Sequence, residues 1–324
     1  MPDRLSLANI EEASRVIDPV FRNSPQIAFD TLSDILGAET VLKVETLNPI
    51  RSFKGRGPSY YVHQLTDKTP LIAASAGNYG QGLAVAAKAR GIPFTVFAAE
   101  KANPLKVERM RALGAEVVLG GTDFDAAKAR ARAHAEKNGY PFVEDGKEPA
   151  VSEGAGSMAV ELLAWPDPFD AVLVALGNGA LINGVGTWIK AHAPETEVIG
   201  VCATGAPSMQ RSWQTGTVVT TEAVDTIADG IGVRVPVPEA LDDMKDTVDD
   251  VVLVDDQTTL KAMRLLLLHT GLLIEPSGAV GVAAHLADPD RFCGKRVATI
   301  LCGGNVTEEQ FQAWFTAGAG AGSV

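Results

Sequence analysis

The chain has 324 residues, 46% of them hydrophobic and 21% charged, with a formal net charge of −12 and a pI near 4.9. That composition supports a sizeable apolar core, arranged as two domains of moderate size or one large α/β unit. An acidic chain without a Lys/Arg block is ill suited to nucleic acid or to an anionic membrane. From the N-terminus, Leu7, Ile10 and Ile17 recur at helical spacing and predict an amphipathic helix. Residues Met1 to Leu36 carry scattered Asp, Glu and Arg and no apolar core, so no signal peptide is expected. Val41–Val44 reads as a short strand leading into the segment around Lys54.

A regular alternation follows. Leu71–Ala74, Phe94–Phe97, Val117–Leu119 and Phe142–Val143 read as strands. Between them, helices are expected over Gly82–Arg90, Leu105–Leu113 and Phe124–Lys137, stopped by Gly91, Gly114 and Gly139. A second series has strands at Ala171–Leu176, Val198–Val201, Val251–Val254 and Val297–Leu301, with helices over Leu181–His192, Gln257–Thr270 and Ser277–Leu286. Thr307–Phe315 closes the pattern, with Thr307 and Gln310 spaced as a capping box, and a frayed end is expected over Ala317–Val324. Such alternation means βαβ units and parallel sheets. The longest apolar stretch, Met263–Ile274, is interrupted by His269, Thr270 and Gly271 and is too short to span a bilayer. Cys202, Cys293 and Cys302 are odd in number, far apart and without a CxxC pair, which fits a reducing compartment and predicts neither disulfides nor structural zinc. A cytoplasmic protein is expected.

Four segments carry chemistry. Lys54 stands beside Phe53, between Arg51 and Arg56, at the start of a predicted helix. Like charge from the arginines disfavours the ammonium, and a neutral amine can form a Schiff base with an aldehyde. A solvated lysine at a helix start explains the run equally well. Ser75-Ala76-Gly77-Asn78-Tyr79-Gly80 follows a buried strand and opens into a helix, where free N–H groups suit a carboxylate. A plain strand-to-helix turn is the bland alternative. Gly177-Asn178-Gly179-Ala180-Leu181 has the context of a phosphate cradle. It fails the dinucleotide pattern, because Ile182 stands where the third glycine belongs and no acid follows Cys202-Ala203-Thr204; no lysine follows Gly184 to serve a triphosphate. A single phosphate group is the remaining guest. Cys302-Gly303-Gly304-Asn305 ends the last strand, with Cys302 expected to be a neutral thiol or simply a small buried hydrophobe.

SFKxRG around Lys54, SAGN at Ser75–Asn78, GNGALINGVG at Gly177–Gly186, ADG at Ala228–Gly230, EPSGA at Glu275–Ala279 and CGGN at Cys302–Asn305 occur in that order. Together they resemble the fold-type II pyridoxal-phosphate enzymes, in particular the serine/threonine dehydratase and serine racemase group. The resemblance implies an α/β protein of two doubly wound open-sheet domains, tryptophan synthase β-like, with the smaller inserted in the larger. The expected division is a large cofactor-binding domain of residues 1–68 and 148–324 and a small domain of residues 69–147. It implies that Lys54 holds pyridoxal 5′-phosphate and later acts as base, and that Phe53 packs on the cofactor ring. Asn78 would bond the cofactor's 3′-oxygen, and Cys302 would face the pyridine nitrogen. Gly177, Asn178, Gly179, Ala180 and Leu181 would cradle the phosphate. Ser75, Ala76, Gly77, Asn78 and Tyr79 would form the substrate loop, holding the amino-acid carboxylate. A homodimer is implied as well.

Departures from the group's pattern narrow the reaction. Ala76 stands where the racemases place a serine, and it cannot transfer a proton. Cys202 and Ser208 stand where they place metal-binding acids, and a hard cation wants carboxylate oxygens, so no metal is expected. Tyr79 replaces the usual histidine. The residues Val306–Val324 are too few for a regulatory domain, so feedback control of that kind is not expected. The implied function is α,β-elimination from a β-hydroxy amino acid such as L-threonine or L-serine, giving a 2-oxo acid and ammonia. The rivals are a racemase, a β-replacement synthase, and a non-catalytic cofactor or amino-acid-binding protein.

Overall fold

The computed structural model describes residues 4–102, 104–122 and 124–316; the expected frayed end at 317–324 lies outside them. Nine strands are described: β1 (Gln26–Ala28), β2 (Glu39–Val44), β3 (Leu71–Ala74), β4 (Phe94–Ala98), β5 (Glu116–Leu119), β6 (Ala171–Ala175), β7 (Glu197–Ala203), β8 (Asp250–Val254) and β9 (Arg296–Leu301). They form two sheets. The larger has the order β1-β2-β9-β6-β7-β8, parallel except for β1, which runs antiparallel along β2. The smaller is parallel, with the order β3-β4-β5. Strand β6 (AVLVA) is buried at every position, as a strand covered on both faces must be. The helix Pro276–Ala287 packs on β6, β7, β8 and β9, and Ala180–His192 packs on β6 and β7. The fold is therefore α/β and doubly wound.

The expected strand at Phe142–Val143 is reduced to a single parallel bridge between Phe142 and Ile72 of β3. The closing helix is split, with α-helical residues Glu308–Phe311 followed by a π turn Gln312–Thr316, and its Thr307–Gln310 capping box is formed. The sequence reading missed β1 and the helices Asp30–Leu36, Pro149–Leu162, Ser208–Thr215 and Pro238–Met244. Pro149–Leu162 was hidden by its own burial. Eleven of its fourteen residues are inaccessible, so it shows no apolar stripe of helical period. It lies against Ala180–His192 at backbone distance, and a Cβ on Gly184 would sit 1.9 Å from the Ser152 carbonyl oxygen.

This architecture positions the chemistry through strand ends. In parallel α/β sheets ligands collect beyond the carboxyl ends of the strands. The loops after β3, β6 and β9 all emerge there, from two different sheets.

Candidate active site

A cavity of about 610 Å³ lies where these loops meet, within the usual range for a small-molecule site. All of the residues nominated from the sequence line it: Phe53 and Lys54, Ser75 to Tyr79, Gly177 to Leu181, and Cys302.

Lys54 sits in a 3₁₀ turn, Phe53–Gly55, that runs into the helix Arg56–Gln64. The Phe53 amide donates to the Cys302 carbonyl at 3.0 Å, and the Ser52 hydroxyl donates to the same oxygen at 3.1 Å. The lysine turn is thus tied to the loop after β9. On its other side, a Cβ on Gly82 would lie 2.0 Å from the Lys54 carbonyl oxygen, so only glycine lets the helix Asn78–Arg90 approach. The Lys54 ammonium lies 4.6 Å from the Phe53 ring centroid and 5.7 Å from that of Tyr79. It donates to Asp145 Oδ2 at 2.6 Å. The sequence argument for Lys54 is corrected here. Arg51 is exposed, and the Arg56 guanidinium is fully buried among Glu45, Glu161 and Ser157. Opposite charge, not like charge, faces the Lys54 amine.

The loop after β3 is more committed than expected. The Ser75 amide donates to Phe97 O across the sheet. The Ser75 hydroxyl accepts from the amides of Gly77 (3.2 Å) and Gly80 (3.0 Å). Ser75 and Gly77 N–H groups are therefore spent inside the fold. The amides of Ala76, Asn78 and Tyr79 have no partner among the described residues, and the last two open a helix, where N–H groups attract anions. The Asn78 side chain donates to Glu275 Oε1 and accepts from Asn305 Nδ2, both at 2.8 Å. Asn305 in turn donates its backbone N–H to Glu275 Oε2 at 2.9 Å and accepts from Arg109 at 2.8 Å. Burial, with Asp229 adding to it, pushes the Glu275 carboxyl up to about 7. Burial, then the Glu275 charge, pushes the Cys302 thiol up to about 12, so the thiol is neutral.

The loop after β6 ends in Gly179, whose φ of 93° is a left-handed conformation open to glycine. A Cβ there would also meet Ala240 at 2.9 Å. Gly179 caps the helix Ala180–His192 with no side-chain bond, leaving the first-turn amides without partners. This is a helix N-terminus opening onto the cavity, with donors suited to a phosphate group. Asn183 braces it by donating to Ala240 O at 2.9 Å.

Sequence reasoning missed Asp145 and Glu275 as members of the wall, and Asn305 as a partner of Asn78 and Glu275. Glu275 and Asn305 stand in motifs that were recognised but given no role, while Asp145 belongs to no motif. Among the described residues there is no cluster of three or more His, Cys, Asp or Glu able to hold a metal, and no helix is long and apolar enough to cross a membrane.

Residues 17–303 match the family model described as pyridoxal-phosphate dependent enzyme. An L-threonine ammonia-lyase of Thermotoga maritima is 37% identical over 305 residues, covering 93% of this chain and 76% of that one. The processed form of threonine deaminase isoform 2 from Solanum lycopersicum superposes with a TM-score of 0.89 at 30% identity, covering 96% of this chain and 92% of that one. Maize serine racemase superposes with a TM-score of 0.88 at 26% identity, covering 97% and 98%. The chain belongs to the family of pyridoxal-phosphate dependent enzymes. The site fits that cofactor: unpartnered first-turn amides, a glycine-shaped cradle, an aromatic ring and a lysine share one cavity.

Proposed function

We propose that the protein is an ammonia-lyase that converts a β-hydroxy amino acid, such as L-threonine or L-serine, to a 2-oxo acid and ammonia by α,β-elimination. The observation that carries this reading is the meeting of Lys54, the loop after β3 and the loop after β6 in one cavity. The likeness to L-threonine ammonia-lyase over 93% of the chain supports the substrate class.

When bound, pyridoxal 5′-phosphate supplies an aldehyde that captures amines and a ring that draws electrons from the α-carbon. The backbone amides of the Gly177–Leu181 loop would hold its phosphate, Phe53 would pack on its ring and Asn78 would donate to its ring oxygen. Cys302, a neutral thiol in the cavity wall, would face the ring nitrogen. The amides of Ala76, Asn78 and Tyr79 hold the substrate carboxylate, with Ser75 and Gly77 shaping the loop from within. Lys54 removes the α-proton, a contribution of about two to four decades in rate, and the proton it gains passes to the departing β-hydroxyl, which leaves as water; the released enamine tautomerises to an imine, and a second water hydrolyses it to the 2-oxo acid and ammonia. Ala76 has no group able to protonate the opposite face, which favours elimination over racemisation. We extend the reading to a small domain of residues 69–147 set into a large one, a homodimer, and a cytoplasmic setting; three free cysteines support the last.

The test is a keto-acid assay across L-serine, L-threonine, phenylserine and 3-hydroxyaspartate, with Lys54→Ala as control. Keto acid and ammonia in equal amounts are expected from wild type. A visible spectral shift with amino acids but no keto acid would make the protein a sensor instead.

A further inference from the structure

An amide side chain fills the same space either way round, so the face that Asn78 turns to the cavity depends on its partners. Those partners form a chain that starts at Arg109, on the helix Pro104–Ala112. A guanidinium only donates, and Arg109 Nη1 donates to Asn305 Oδ1 at 2.8 Å. The Asn305 amide nitrogen therefore points the other way. There it donates to the Ile50 carbonyl, which only accepts, and to Asn78 Oδ1, both at 2.8 Å. With its oxygen answered by Asn305, Asn78 turns Nδ2 toward Glu275 Oε1, 2.8 Å away. The Asn305 backbone N–H holds the other Glu275 oxygen at 2.9 Å. Nδ2 carries two protons, and the second has no partner among the described residues.

The chain of bonds is built into the fold. Asn305 and Glu275 are each 5% exposed, whereas Asn78 is partly exposed and lines the cavity. A Cβ on Gly303 would lie 2.2 Å from Glu275 Oε1, so only glycine admits that carboxyl. Arg109 and Asn305 do not line the cavity, so what they do for a guest passes through Asn78. A donor facing an oxygen anion favours the anion, whereas an acceptor favours its protonated form.

We propose that Arg109 and Asn305 are positioning residues: with Glu275, they lock the Asn78 amide with an N–H toward the ring oxygen of pyridoxal 5′-phosphate and so keep that oxygen anionic. This rests on the cofactor lying with its ring oxygen at Asn78, and not on which reaction follows.

The test reads the ratio of visible to near-ultraviolet cofactor absorbance in the holoenzyme at one fixed pH, since the anionic ring oxygen gives the visible band and the protonated one does not. Asn78→Ala removes the donor and sets the size of the signal. Asn305→Asp keeps the shape and reverses the pull. A carboxylate bonded to Arg109 accepts from Asn78 Nδ2, turns the amide round and presents its oxygen to the ring oxygen. The ratio falls about tenfold, to the Asn78→Ala value or below it. Arg109→Met keeps the apolar stem without the donor and lowers the ratio about two- to threefold. Arg109→Lys, which still only donates, restores it. A merely structural role for Arg109 lowers the thermal midpoint and leaves the ratio alone. With Asn78→Ala shifted, a wild-type ratio in either Asn305→Asp or Arg109→Met overturns the proposal. A wild-type ratio in Asn78→Ala overturns the cofactor placement, and the proposal with it. Should Asn305→Asp fail to fold, Arg109→Met and its rescue by Arg109→Lys decide alone, because Arg109 lies partly exposed on its helix.

Discussion

Lys54 and Arg56 are two residues apart and meet opposite fates. The Arg56 side chain is fully inaccessible, and it bonds Glu45 through two nitrogens at 2.8 and 2.9 Å and Glu161 at 2.7 and 2.9 Å. Lys43 donates to Glu161 at 2.5 Å, so the cluster closes on itself beneath the site. Burial works against the Arg56 charge, but Glu45 and Glu161 outweigh it and hold the guanidinium charged. Lys54 has one carboxylate partner among the described residues, is 16% exposed along its side chain, and faces a cavity. The difference teaches how to tell a structural charge from a reactive one. A structural charge has every donor answered by rigid partners, whereas a reactive one has a single partner and room to leave it.

Four experiments break or sharpen that contrast. Lys54→Ala should lower keto-acid release by at least about two to four decades, the worth of a positioned base, and leave the thermal midpoint close to wild type. A normal rate would end the distinction. Arg56→Ala should do the reverse. Stranding Glu45 and Glu161 without their partner costs about 3–5 kcal/mol in denaturant titration. Arg56→Lys should recover little of it, because an ammonium cannot reproduce the two-pronged geometry.

Glu275 tests the cavity side by pH. Its carboxyl is raised from 4.5 to about 7, chiefly by burial, so ionising it opposes the fold. The fold bears no such cost below pH 4.5 and the full cost above about 7. Relative to wild type, Glu275→Gln should therefore gain stability as pH rises through that window, by up to about 3 kcal/mol at 1.36 kcal/mol per unit. A difference that stays flat with pH would mean the carboxyl is not held protonated. The smallest effect is expected at the surface pair Arg15–Glu11, at 2.7 Å with both side chains more than half exposed. Arg15→Ala should cost about 0.5 kcal/mol or less, which isolates burial as the source of the Arg56 effect.

Much of this protein was legible before any coordinates. The strands expected at Leu71–Ala74 and Ala171–Leu176 announced themselves as short apolar runs followed by glycine-rich turns, and Gly91, Gly114 and Gly139 take left-handed conformations at the helix stops where they were expected. The Thr307–Gln310 box was readable because a cap is a contact over three residues. The helix Pro149–Leu162 was not readable, since burial on all sides removes the periodicity that marks a helix. Lys54 was singled out for a reason that failed: sequence neighbours on a helix start point in different directions, so Arg56 turns into the core while Lys54 faces the cavity.

The alternation of strands and helices and the three glycine-rich loops followed from the amino-acid sequence alone, because strand runs, helix stops and glycine turns are local properties of a chain. The tertiary structure decided which charges meet. It set Asp145 against Lys54 across 91 residues, gave the Ser75 hydroxyl to the Gly77 and Gly80 amides, and buried Asp145 Oδ1 and the Tyr79 hydroxyl without a hydrogen-bond partner among the described residues. Those pairings depend on side-chain direction and on the packing of distant segments, which no local pattern records.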